Sequence, residues 1–208
     1  MVSLLYNRLG REQTGAPMNG NLILRGNPGV GKTTLIEALY EALHAAAVLR
    51  GKLVKIKGGD LTDVKSALRE AEGGMLFIDE AYELRTRQKM NNQLNHEINP
   101  SGGLPLVVVA GYPDEMDRWL INNPKGNSGL RSRFRRAMTI ANYTAQELFL
   151  ICRDMLQRYK IKSITDDALT LLEQVTHLIA SDPRSANARD VEQIVQDVND
   201  EWIYSVGQ

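Results

Sequence analysis

Residues 26–33, which read GNPGVGKT, have the residue types and spacing of a loop that binds the phosphates of a nucleotide. The glycines let successive backbone N–H groups face one oxyanion, and a helix starting after the loop adds its positive dipole end. Lys32 can reach the β and γ phosphates, and the Thr33 hydroxyl can bind Mg²⁺. An ordinary glycine-rich turn before a helix is the alternative. The residues predicted to bind the nucleotide are Gly26, Asn27, Pro28, Gly29, Val30, Gly31, Lys32, Thr33 and Thr34.

An apolar run, MLFID at 75–79, is followed by a glutamate, so that two carboxylates, Asp79 and Glu80, are adjacent. Asp79 is predicted to hold Mg²⁺, directly or through water, and Glu80 to orient or deprotonate the attacking water. A strand that stops at a solvated acidic turn is the alternative, but the phosphate loop upstream favours the catalytic interpretation. Because the sequence has no N-K-x-D motif for reading guanine, ATP is the expected nucleotide.

The segment RSRFRR, residues 131–136, concentrates four arginines in a chain whose formal net charge is zero. A nucleic-acid contact, a solvated loop and a catalytic device are all compatible with such a cluster. The balance of 25 Lys and Arg against 25 Asp and Glu argues against broad electrostatic binding to nucleic acid or to an anionic membrane. A local basic patch stays open on these grounds.

The composition, with 43% hydrophobic residues in 208, fits one large domain or one domain with a small appendage. Cys152 is the single cysteine, so no disulfide framework is expected. His44, His96 and His177 are too far apart in the sequence to predict a metal site. No stretch approaches the roughly 20 apolar residues that cross a bilayer, and the first residues lack a signal-peptide pattern. A cytoplasmic protein without a membrane contact is expected.

Apolar runs of strand length alternate with helical patterns up to about residue 143, which predicts a parallel sheet with crossover helices. The runs at 75–79 and 104–111 are expected to be strands buried on both faces. The helix after the phosphate loop is predicted to continue to Gly51, and Asp60 is the expected N-cap of the next helix.

After Tyr143 the apolar residues recur only at helical spacing, with Thr, Asp or Ser at the expected caps. No strand pattern occurs there. We therefore predict an α/β core over residues 1–143 and a small helical subdomain over residues 144–208.

A series of motifs in a fixed order gives the chain a resemblance to the AAA+ ATPases. They are GNPGVGKTT, MLFIDEAYEL, LVVVAGYPDEMDRWL, GLRSRF, NYTAQEL and SANARDVEQIV. Within that family the chain looks most like the CbbX-type Rubisco activases and the stage V sporulation protein K-like proteins. The resemblance implies a P-loop NTPase fold, with a five-stranded parallel sheet flanked by helices and followed by a C-terminal helical lid. It also implies assembly into rings, commonly hexamers, with ATP at the subunit interfaces.

The same resemblance gives roles to two of the arginines. Arg133 matches the arginine that enters the neighbouring subunit's site and faces the γ-phosphate, where a guanidinium can stabilise the charge that spreads during transfer. Arg131 is the next candidate, and Arg135 and Arg136 are expected to be surface or interface charges. Arg189 matches the family's second sensor, a lid arginine that contacts the nucleotide.

The chain departs from the family pattern at two places that bear on function. In the AAA+ ATPases the first sensor is commonly an asparagine or another small polar residue at the end of the fourth strand. This chain, like the CbbX-like branch, has Ala110-Gly111-Tyr112 there, so either the Tyr112 hydroxyl serves as the sensor or the role is absent. Translocating relatives carry an aromatic pore residue after the second strand, whereas this chain has no Phe, Trp or Tyr between Tyr40 and Phe77. Leu61 and Val64 would be poor substitutes because a grip needs aromatic or apolar contact area. A longer NNPKGNSGLRSRF segment is a further difference, and nothing in the sequence explains it.

The expected function is an ATP hydrolase that works as a ring and remodels a protein partner. The ring would contain copies of this chain alone or would mix them with a related AAA+ subunit. A nucleotide-controlled assembly module with slow turnover and no threading is the alternative from another class. A nucleic-acid motor or loader is a third, which the zero net charge disfavours.

Overall fold

The structure is a computed structural model that describes residues 20–99, 103–120, 128–134, 136–159, 161 and 164–206. Arg135, the residues before Gly20 and the Lys-Gly-Asn segment at 125–127 lie outside the described residues, so the expectations for them are not addressed. The chain forms two compact units. The core unit contains β1 as far as Arg25 together with Lys32–Thr139, and the second unit contains Gly26–Gly31 and the chain from Ile140 onward.

A five-stranded sheet in the order β2-β3-β4-β1-β5 forms the framework of the core unit. Its strands are β1 Leu22–Gly26, β2 Leu53–Lys57, β3 Met75–Asp79, β4 Leu106–Gly111 and β5 Arg136–Ile140. Neighbouring strands β2 and β3, β3 and β4, and β4 and β1 pair in parallel. Every residue of β4 is buried, as the continuous apolar run predicted for a strand covered on both faces.

Six helices of the core unit lie between or beside these strands in the described residues. They are α1 Lys32–Ala45, α2 Val64–Glu70, a 3₁₀ helix Ala81–Thr86, α3 Gln88–Glu97, α4 Pro113–Leu120 and α5 Ser128–Arg133. One apolar cluster joins alternate residues of β3 and β4 to Trp119 and Met116 of α4, both fully buried. Burial of that cluster holds the strands in register and so fixes where each strand ends.

Two predictions about helix ends are wrong. Helix α1 ends at Ala45 rather than continuing to Gly51, because Ala47 takes a left-handed φ of 55°. The N–H of Val48 then donates to Leu43 O and the N–H of Ala47 to His44 O, the pattern that closes a helix at a left-handed residue.

The N-cap of α2 is Asp63, whose side chain accepts from Lys65 N, rather than Asp60. The fully buried Leu61 explains the shift, since it draws the chain into the core before the helix can begin. A buried apolar residue outweighed a favourable capping residue.

The second unit contains the three long helices predicted after Tyr143: α6 Ala145–Arg158, α7 Asp166–Ser181 and α8 Ala188–Val206. Thr144 and Glu147 form a capping box at the start of α6, and Thr165 caps α7. Leu148 and Cys152 of α6 pack against Val191 and Val195 of α8. None of the helices described is long and apolar enough to cross a membrane.

Candidate nucleotide site

The loop Gly26–Gly31 has the backbone conformation that a phosphate cradle requires. Gly29 and Gly31 adopt φ of 69° and 83°, a region in which residues with a Cβ are strained. A Cβ on Gly26 would come within 2.7 Å of Val30 Cγ2, so the loop also closes on itself too tightly for a larger residue there. Left-handed residues in a glycine-rich turn can turn backbone N–H groups toward one side, as in an anion nest. The residues present therefore fit a phosphate group.

Lys32 is the first residue of α1, and its ammonium lies 5.0 Å from the centre of the Tyr112 ring. That ring stacks on Tyr82, with 5.6 Å between the ring centres. Burial, followed by the negative charge of Glu80, raises the pKa of Tyr82 to about 12, so its phenol stays protonated at neutral pH. The Lys32 ammonium thus lies within cation–π distance of the Tyr112 ring. Thr33 is half-buried on α1, and Thr34 is exposed.

Asp79 and Glu80 lie where β3 ends, at the edge of the sheet that also carries Gly111 and Tyr112. The parallel register pairs Ile78 with Val109, so the two carboxyl ends meet at one edge. Asp79 Oδ1 accepts from Glu80 N at 3.0 Å. Glu80 has a left-handed φ of 50°, and its carboxylate lies 3.7 Å from Lys57 Nζ. Backbone strain of this kind is commonly found at active sites. Here it occurs at a carboxylate that directly follows a buried strand.

Arg133 lies near the amino ends of the strands, whereas these carboxylates lie at the carboxyl ends. Its main-chain carbonyl accepts from the side chain of Asn21, the residue that directly precedes β1. Its guanidinium donates to Ile98 O at 3.1 Å and to Gly129 O at 2.8 Å. A five-residue strand such as β3 is roughly 16 Å long from its amino end to its carboxyl end. The structure therefore does not bring Arg133 together with Asp79 and Glu80 of its own chain.

The other arginines of the cluster differ from Arg133 in their surroundings. Arg131 and Arg136 are exposed. Arg133 is half-buried, and its two hydrogen bonds to carbonyls use two of the five N–H donors of the guanidinium while restraining its direction. Of the arginines described in the cluster, Arg133 is the one whose side chain is held in place by its own chain.

Arg189 is the second residue of α8 in the second unit, and its side chain is exposed. Two residues of this unit that were not predicted from the sequence, Asn187 and Tyr143, contact the phosphate loop. Both stand within motifs quoted above, SANARD and NYT, but no spacing rule marks either of them. Asn21 was missed for the same reason.

The five-stranded sheet in the order β2-β3-β4-β1-β5, followed by a C-terminal helical part, is the AAA fold. Residues 22–125 match the model of the ATPase family associated with various cellular activities (AAA). The chain belongs to this family, whose members bind ATP and in general hydrolyse it.

Within the family the chain is related to CbbX and CfxQ proteins at about 30% identity. It is 34% identical to Protein CbbX of Cereibacter sphaeroides over 186 residues, covering 80% of this chain and 58% of that protein. It is 29% identical to the chloroplastic ribulose bisphosphate carboxylase/oxygenase activase of Cyanidioschyzon merolae, covering 92% of this chain and 69% of that one.

Solved structures support the fold alone, because their sequences are distant. The AAA domain of FIGL-1 in complex with ADP matches with a TM-score of 0.65 and 20% identity, over 99% of this chain and 68% of that chain. The Holliday junction branch migration motor RuvB of Thermotoga maritima matches with a TM-score of 0.62 and 20% identity, over 99% of this chain and 61% of that chain.

Proposed function

We propose that this chain hydrolyses ATP as one subunit of a ring and uses the cycle to remodel a protein partner. The ring is a hexamer of this chain or a mixed ring with a related AAA+ subunit. Family membership and similarity to proteins named as Rubisco activase and CbbX support an ATPase that acts on a protein. The α/β core over 1–143 carries the chemistry, and the helices of 144–208 form the lid, whose Arg189 contacts the nucleotide.

Each candidate residue has a role in this proposal that its chemistry allows. The N–H groups of Gly26–Gly31 cradle the phosphates, and Lys32 offsets their charge. Thr33 and Asp79 supply the hard oxygen ligands that Mg²⁺ prefers, and the bound ion would neutralise the β and γ phosphates. Glu80 accepts a proton from, or orients, the attacking water.

Arg133 completes the site of a neighbouring subunit in this proposal. The separation between Arg133 and the carboxyl edge of its own sheet is the observation that carries this step, because a finger so placed can serve only another copy. A guanidinium supplied in this way is worth ~10³–10⁵ in rate. The bonds to Ile98 and Gly129 would keep it preorganised.

Mixing two inactive variants tests the arrangement. Arg133→Ala chains keep an intact hydrolytic site but lack the finger, and Glu80→Gln chains keep the finger but lack the base. Neither variant alone should turn over ATP above about 1% of the wild-type rate, given the size of either effect. Their mixture should recover activity, measured as phosphate release at fixed total chain concentration.

The matched control replaces Arg131, which is exposed and two residues away. Arg131→Ala alone should keep at least half of the wild-type turnover. If the Arg133→Ala mixture stays inactive although the variants co-assemble, the trans arrangement is wrong. If Arg131→Ala is the inactive variant and its mixture recovers, the finger is Arg131.

One observation favours the second candidate, an assembly module that does not thread polypeptide. Leu61 and Val64, the apolar residues after β2, are fully buried and cannot grip a chain in a pore. In that function ATP binding drives assembly while turnover stays negligible. Turnover and particle mass, measured in the same sample with and without ATP, separate the two functions.

A further inference from the structure

The carbonyl groups of the phosphate loop raise a structural requirement of their own. When a loop turns its N–H groups toward a phosphate, its carbonyls must point away from that phosphate. Val30 is only 3% exposed, so water has little access to the loop at this residue. A buried carbonyl without a donor is costly, and the loop keeps this shape only if other groups supply the donors.

Two side chains of the second unit are those donors. Asn187 Nδ2 donates to Pro28 O at 3.1 Å, and the Tyr143 hydroxyl donates to Val30 O at 3.2 Å. Asn142, next to Tyr143, accepts from Asn27 Nδ2 at 2.9 Å. Three residues of the loop are thus held from outside, and none of these bonds uses the backbone N–H groups of the loop.

The surroundings of Asn187 fix the direction of its amide. Asn187 is 2% exposed, and its Oδ1 accepts from Tyr143 N at 3.1 Å. Because Tyr143 N is a donor and Pro28 O an acceptor, only one orientation of the amide satisfies both. The carbonyl oxygen of Ala186 packs directly on Gly29, where any Cβ would overlap it. The turn before α8 is therefore docked on the loop.

Tyr143 is held as a donor by its own environment. Burial, and then the charge of Glu147, raises the pKa of the Tyr143 phenol, so the hydroxyl keeps its proton across the neutral range. The hydroxyl oxygen also lies 3.2 Å from the point that a Cβ of Gly31 would occupy. The group thus contacts the loop at two successive residues, Val30 and Gly31.

We propose that Asn187 and Tyr143 are positioning residues for nucleotide binding, which hold the phosphate loop in its binding conformation by satisfying its outward carbonyls. This inference rests on the proposed function in that it takes the loop to bind the phosphates of a nucleotide. Since Asn187 lies two residues before Arg189, the same contact links the conformation of the loop to the start of α8. The role is one of uniform binding: it affects the affinity for ATP and ADP alike.

Two variants remove the donors with little other change. Tyr143→Phe keeps the ring and removes the hydroxyl. Asn187→Gly removes the amide and suits the left-handed φ of 55° at this position, which Ala would strain. A third variant, Asn187→Asp, keeps an oxygen that accepts from Tyr143 N. Its second carboxylate oxygen faces Pro28 O, where the wild type has a donor. Thr176→Val is the matched control, because Thr176 is also 2% exposed in this unit and its hydroxyl donates to Glu173 O within α7.

Calorimetric titration with MgADP and steady-state kinetics with MgATP provide the readouts. Each single donor loss should weaken MgADP binding about tenfold, and Asn187→Asp should weaken it at least as much. The KM for ATP should rise by a similar factor while kcat stays within about threefold, a split that a loss of stability alone would not produce. Thr176→Val should bind MgADP as the wild type does.

The outcomes distinguish the inference from the proposed function. If the wild type binds neither MgADP nor MgATP, the proposed function fails. If the wild type and Thr176→Val bind MgADP and both Tyr143→Phe and Asn187→Gly bind within twofold of them, the inference alone is overturned. Circular dichroism and melting temperature check folding, and if Asn187→Gly does not fold, Tyr143→Phe decides.

Discussion

Tyr112 contributes an aromatic ring at the position of the first sensor, where a small polar residue is common. The resemblance to the AAA+ ATPases leads us to expect a polar group at this position, which the Tyr112 hydroxyl would supply. In this chain the ring of Tyr112 lies by the Lys32 ammonium, with 5.0 Å between the ring centre and the nitrogen. The attraction of a cation to a ring face is worth about 0.5–2 kcal/mol, enough to restrain a flexible lysine.

Replacing Tyr112 in two ways separates the ring from the hydroxyl. Tyr112→Phe should leave the KM for ATP within about twofold of the wild type, because the ring remains. Tyr112→Leu should raise the KM about fivefold, since Lys32 loses the attraction that restrains it. Steady-state ATPase kinetics measure both variants. If Phe proves as damaging as Leu, the hydroxyl is the working group and the ring interpretation is wrong.

At the scale of the element, the end of α1 shows a conflict between a residue type and a backbone conformation. Ala47 occupies the left-handed position that closes the helix, where glycine is usual, and its side chain is exposed. Its φ of 55° is strained by the Cβ, and no burial compensates for the strain.

Ala47→Gly should therefore stabilise the protein, by about 1 kcal/mol in the free energy of unfolding. Chemical denaturation followed by circular dichroism measures the change. Ala45→Gly is the control, since Ala45 is exposed but still within α1, and it should cost up to about 1 kcal/mol. A destabilised Ala47→Gly would mean that the helix does not end in this conformation.

At the scale of the whole molecule, Arg133 and the carboxylates Asp79 and Glu80 lie near opposite ends of the strands of one sheet. In the proposed function, Arg133 near one end of the strands and the carboxylates at the other end would form two half-sites that face different neighbours. A closed ring of such subunits satisfies every half-site, which is why rotational symmetry suits this arrangement.

The turnover per chain should therefore rise with chain concentration until assembly is complete. Dilute samples should lose most of their activity, because a missing finger costs ~10³–10⁵ in rate. Phosphate release and light-scattering mass, measured across the same dilution series, test this dependence. Full specific activity in samples that contain only monomers would contradict it.

Much of the fold was predictable from local patterns. The continuous apolar runs predicted the buried strands β3 and β4, and the helical spacing after Tyr143 predicted α6 to α8. These signals are local, because burial on both faces or on one helical face repeats over a few residues. The prediction failed at Gly51 because the exposed Ala47 takes a left-handed φ and closes the helix early. It failed at Asp60 because packing against the core moved the start of α2. Leu61, the residue after Asp60, is fully buried in that core, and the residues that cover it are distant in the sequence.

By itself, the sequence determined the family, through the ordered motifs of a AAA ATPase. It also predicted the chemistry, from a glycine loop with Lys32 and Thr33 and from two carboxylates after a buried strand. Only the tertiary structure decided which residues support that chemistry. It put Asn187 and Tyr143 on the loop carbonyls, Leu61 in the core and Arg133 at the far edge of the sheet. The reason is physical: loop and strand preferences are encoded by neighbours along the chain. The partner of a buried polar group, by contrast, depends on residues that only folding brings within hydrogen-bond distance.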